Sequence, residues 1–101
     1  MKTILLTVGF LASLSGIASA QVIERACLRS DREAKSRLLC GCLQQAANLT
    51  LATPDQKLAA SFYKDPQKAQ DIRQSNNRSH ERFWNRYKDY AEVATTFCEQ
   101  R

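Results

Sequence analysis

Four cysteines, two of them in the triplet Cys40-Gly41-Cys42, constrain this chain most, because they follow a leader that takes it out of the reducing cytoplasm. Lys2 supplies a positive n-region, Ile4 to Leu14 an apolar h-region, and Ala18-Ser19-Ala20 the small residues that signal peptidase accepts. The apolar run falls short of the ~20 residues that cross a bilayer, and no basic stop-transfer flank follows it. Residues 1–20 therefore read as a cleavable signal peptide and 21–101 as one mature domain, periplasmic or secreted, with no transmembrane span. In that compartment thiols oxidise, so the cysteines are expected to be disulfides.

The 101 residues less 20 leave 81, enough for one domain. A core of that size supplies only ~3–5 kcal/mol of net stability without covalent or metal help. The mature segment holds one glycine, Gly41, and its prolines, Pro54 and Pro66, stand where helices begin. The pattern is all-α, a small disulfide-stapled bundle of about four to five helices. Val22, Ile23, Ala26 and Cys27 mark a short first helix ending between Arg25 and Ser30. Ser30-Asp31-Arg32-Glu33 matches a capping box and Ser36 is a second capping signal, so the next helix starts between 31 and 37. It carries Leu38, Leu39, Cys42, Leu43, Ala46 and Leu49. Thr53-Pro54-Asp55-Gln56 opens a third helix, with Thr53 at N-cap and Gln56 at N3. Asp65-Pro66 opens a fourth running to about Ser75. Ser79 reads as the cap of the last, whose apolar stripe is Phe83, Tyr87, Tyr90, Ala91, Ala94, Phe97 and Cys98.

Cys40 and Cys42 are two residues apart, which on a helix is about 200° around the axis. They point to opposite sides and tie the second helix to a neighbour on each. Cys27 and Cys40 stand at similar distances from the intervening turn. This favours Cys27–Cys40 with Cys42–Cys98 and leaves Cys27–Cys42 with Cys40–Cys98 open. On a chain-entropy model the favoured bonds contribute about 3 and 4 kcal/mol. The alternative is a thiol-disulfide redox protein, in which Cys40-Gly41-Cys42 closes a strained, oxidising ring. It lacks the βαβ scaffold that lowers a thiolate pKa. Zinc is disfavoured, since paired thiolate ligands take a Cys-x-x-Cys spacing. No cofactor is implied.

The side-chain charge is +5, or +4 once Lys2 leaves with the signal. That modest excess suits an anionic ligand or a protein partner more than nucleic acid. Arg78, Arg82 and Arg86 recur every four residues and, with Trp84 and nearby Arg73, Tyr87 and Lys88, form a basic-aromatic face. Glu81 and Asp89 stand where they can partly neutralise it. His80 is the single histidine and has no nucleophile at a recognisable spacing. The expectation is a non-enzymatic binding or interaction module with no catalytic residues. Asn48-Leu49-Thr50 and Asn77-Arg78-Ser79 match glycosylation sequons.

Ile23-Glu24-Arg25-Ala26-Cys27, Leu39-Cys40-Gly41-Cys42-Leu43-Gln44-Gln45, Asp65-Pro66-Gln67-Lys68-Ala69-Gln70 and Phe83-Trp84-Asn85-Arg86-Tyr87-Lys88 together carry a resemblance. They resemble a group of small exported proteins of marine and related alphaproteobacteria, some labelled arginine transporters. The resemblance spans nearly the whole mature chain. It implies the periplasm of a Gram-negative cell and brings no functional residues. A polar 81-residue chain without a span forms no translocation path, so on this reading transport itself is excluded.

Overall fold

Every described helix boundary falls at a proline, a polar cap or a break in the apolar pattern. The computed structural model describes residues 21–30 and 36–98, so the signal peptide and most of the Ser30–Glu33 box lie outside the described residues. Five helices follow in order: α1 (Val22–Arg29), α2 (Arg37–Thr50), α3 (Thr53–Lys64), α4 (Pro66–Arg73) and α5 (Arg78–Cys98). Among the described residues there is no strand, and no helix is long and apolar enough to cross a membrane.

The caps refine four expectations. Ser30 closes α1: its N–H and its hydroxyl both bond the Cys27 carbonyl, at 3.1 and 2.7 Å. The α2 cap is Ser36, whose Oγ accepts from the Leu39 N–H at 3.0 Å. At α5 the cap is Asn77, not Ser79. Its Oδ1 accepts from the backbone N–H groups of Ser79 (2.8 Å) and His80 (3.3 Å), and from the Ser79 hydroxyl (2.7 Å). An amide oxygen two residues earlier reaches the free N–H groups that a serine at 79, already inside the helix, does not. At α3 the helix starts on Thr53 itself, with Ala52 at N-cap and no side-chain cap. Gln56 does not reach back to the helix end; it turns into the core.

Helix α2 is the centre of the bundle. It packs most extensively on α5 and also on α1, while α1 packs on α3 as well, and α4 joins α3 to α5. The core gathers Ile23, Ala46, Ala47, Leu51, Ala59, Phe62, Ile72, Phe83, Tyr90, Ala94 and Cys98. An aromatic cluster links α3 to α5. Tyr87 sits at its hub, with ring centroids 5.3 Å from Phe62, 5.7 Å from Phe83, 5.0 Å from Trp84 and 5.6 Å from Tyr90. Four apolar residues leave the expected pattern. Ala91 is exposed, as are Leu38 (64%), Leu49 (75%) and Phe97 (58%). On α5 the inward register after Tyr90 runs through Ala94 and Cys98, with Val93 flanking, because the Cys98 bond sets the rotation of the helix end.

Two glutamines fill positions usually given to apolar side chains. Gln44 and Gln56 are 4% and 5% exposed. Gln44 Oε1 accepts from the Ile23 and Glu24 N–H groups at 2.8 and 3.0 Å, serving the α1 N-terminus, where Gln21 gives no side-chain cap. Gln44 Nε2 donates to Gln56 Oε1 (2.8 Å) and Asn48 Oδ1 (2.9 Å). Gln56 Nε2 donates to the Leu51 carbonyl at 2.9 Å, with longer contacts to Asn48 Oδ1 and the Ala47 carbonyl. The start of α1 and the end of α2 are thus satisfied by one buried amide chain.

Candidate functional site

Cys27 is bonded to Cys40 and Cys42 to Cys98, with Cα–Cα distances of 5.5 and 5.8 Å, and no described cysteine is free. Of the two pairings left open by the spacing, this is the one that the turn geometry favoured. The two bonds leave opposite sides of α2 and clamp it between α1 and α5. The Cys40–Cys42 ring that a redox site would need does not form. Among the described residues no three His, Cys, Asp or Glu side chains converge as metal ligands.

The basic face of α5 is less open than its sequence. Arg86 forms a two-pronged pair with Asp55 of α3, Nε donating to Oδ2 and Nη2 to Oδ1 at 3.2 Å. The Asp55 hydrogen bond holds the Arg86 guanidinium above its ordinary pKa. Glu81 and Asp89, which spacing offers as neutralising partners, make no ion pair among the described residues. The partner comes from another helix because Asp55 lies across the bundle, where Arg86 can meet it edge-on. Trp84 is half-buried against Tyr87 and packs on the core, while Arg78 and Arg82 stay exposed. The four residues therefore divide into one paired arginine, one packed indole and two solvated arginines.

His80 is half-buried at the start of α5, its Nδ1 2.8 Å from Ser75 Oγ. Ser75 Oγ also accepts from the Asn77 N–H at 3.0 Å. The pair pins the turn between α4 and α5. The two sequon asparagines are engaged as well: Asn48 Oδ1 belongs to the glutamine chain and Asn77 caps α5.

A different surface gathers charge in a concavity. Helices α1 and α3 flank a groove of about 560 Å³ lined by Arg25, Arg29, Lys57 and Lys64, with Val22, Ala26, Ala60, Tyr63 and two serines between them. Among the described residues no carboxylate lines it. Arg25 and Arg29 stand one turn apart on α1, and Lys57 and Lys64 two turns apart on α3, so each pair faces the other across a floor of small apolar side chains. Ser30 and Ser61 Oγ both donate to carbonyls of their own helices, Cys27 and Leu58. Scanning along the chain misses this site because its cations come two by two from segments about 30 residues apart. A signal was present: basic residues at i, i+4 and at i, i+7 beside alanines. No family model matches the chain, and no curated protein or solved structure matches it.

Proposed function

We propose that this is an exported, non-enzymatic binding module whose ligand is a small multivalent anion held between α1 and α3. The observation that carries the reading is the groove itself, whose described lining has four basic residues, no acid and an apolar floor. The Arg29 guanidinium offers a planar fork for phosphate or carboxylate oxygens, and the two lysine ammonium groups add charge from the opposite wall. The groove volume falls in the range that encloses a small ligand. Its serine hydroxyls are spent on backbone carbonyls and no histidine lines it, which supports binding without turnover. Two disulfides suit an oxidising compartment. The periplasm is the place we assign, supported by the form of residues 1–20. A thiol-exchange role would have to break a bond that holds the bundle together, so we set it aside.

Isothermal titration of the oxidised protein with inorganic pyrophosphate at low salt tests the reading. Wild type binds, and the affinity falls as salt rises. Arg29→Glu with Lys57→Glu removes binding, whereas Arg78→Glu with Arg82→Glu retains it. The melting temperature stays near wild type in both, since all four side chains are exposed. Loss of binding in the α5 variant alone would transfer the function to the α5 face.

A further inference from the structure

Gly41 stands inside α2, where glycine costs about 1 kcal/mol against alanine. Nothing among the described residues of one copy calls for it. Its φ is not positive, and a Cβ placed there meets only Glu24 Oε2, at an ordinary 3.8 Å. A helix surface left bare at that expense is explained when another chain seats on it. The surroundings agree. Gly41, Leu38, Gln45 and Phe97 line a groove of about 670 Å³. Leu38 and Phe97 are among the three large apolar side chains left most exposed among the described residues. The third, Leu49, lies eleven residues beyond Leu38, hence on the same side of α2. Apolar side chains grouped around bare backbone mark an interaction surface rather than scattered exposure.

The charge at this groove selects the occupant. Among the described residues its lining carries one acid and one base, Glu24 and Arg37, and neither makes an ion pair there. A polyanion would choose the α1/α3 groove instead, where four basic residues gather. A patch with both signs complements itself about a two-fold axis, because an isologous contact presents the same surface from both sides. We propose that the protein forms a homodimer through the α2 surface centred on Gly41. Leu38 and Phe97 are its apolar contacts, and Glu24 of each copy pairs with Arg37 of the other. Helix α2 is held rigidly behind this surface by both disulfides.

Sedimentation velocity of the oxidised protein, from low micromolar to about 1 mM, tests the proposal. Wild type passes from monomer to dimer within that range. Leu38→Glu and Phe97→Glu each move the midpoint at least about tenfold higher, with the circular dichroism of the dilute protein unchanged, since both side chains already face water. Arg37→Glu weakens the dimer, and adding Glu24→Arg to it restores association. Gly41→Ala raises the melting temperature of the dilute monomer while weakening the dimer. A protein that stays monomeric throughout, with or without another protein in the groove, overturns the proposal. So does a dimer that tolerates Leu38→Glu and Phe97→Glu.

Discussion

At the scale of single residues, Gln44 carries more than its polarity suggests. Its carbonyl oxygen is the cap of α1, supplied from another helix, and its amide nitrogen holds Gln56 in place. Gln44→Ala leaves the Ile23 and Glu24 N–H groups and Gln56 Oε1 without these partners. It should cost about 2–4 kcal/mol, because each stranded buried group forfeits its hydration. Urea denaturation of the oxidised protein measures this, and a loss under about 1 kcal/mol would mean that water replaces the amide. Tyr90 gives the second residue-scale prediction. Its phenol is buried, lies near Tyr63 and Tyr87, and bonds the Tyr63 side chain, all of which raise its pKa, burial most. The neutral form is the one that the fold favours. The associated stability is thus complete below the unfolded pKa of about 10 and is lost as pH rises above it, by at most about 1.4 kcal/mol per pH unit. Comparing melting temperatures at pH 8 and 11 for wild type and Tyr90→Phe isolates the effect. The phenylalanine variant, whatever its stability at pH 8, should lose less on going to pH 11.

At the scale of elements, the helices were legible because prolines and apolar spacing act locally. Pro54 and Pro66 stand at the starts of α3 and α4 as read, and Ser36 caps α2. The expectations that shifted are those in which one local signal competed with a tertiary use of the same residue. Gln56 has the identity for a capping box and is drawn instead to the carbonyl end of α2. Phe97 fits the α5 stripe by spacing, yet the Cys98 bond fixes which side of that turn faces inward. The cation groove had the weakest signature of all, since no window of sequence contains both of its walls. At the α4–α5 junction the cap is Asn77, which serves two N–H groups at once. Asn77→Ala should destabilise the protein by about 1 kcal/mol, the usual worth of an N-cap side chain. Ser79→Ala, which removes only a hydroxyl that donates to Asn77, should cost less. A thermal melt that ranks them in the opposite order would return the cap to Ser79.

At the scale of the whole molecule, two bonds set how the five helices stay together, and they are not equal. Cys27–Cys40 spans 13 residues and Cys42–Cys98 spans 56. If restricting the unfolded chain is what matters, the first contributes about 3 kcal/mol and the second about 4. Either is comparable with the ~3–5 kcal/mol that a core of this size supplies. The longer bond also guards the most extensive interface, α2 on α5, whereas α1 has a second anchor in α3 and a third in the Gln44 cap. Packing and entropy therefore rank the bonds the same way. Cys42→Ala with Cys98→Ala should leave a protein that is largely unfolded at 37 °C. Cys27→Ala with Cys40→Ala should keep a cooperative transition, higher by about 4–8 °C for each kcal/mol between them. Thermal melts followed by circular dichroism give both numbers. Should the short-loop variant prove the less stable, the docking of α1, not the closure of the chain, would be what limits the fold. The α1/α3 groove would then be the part of the molecule most exposed to reduction.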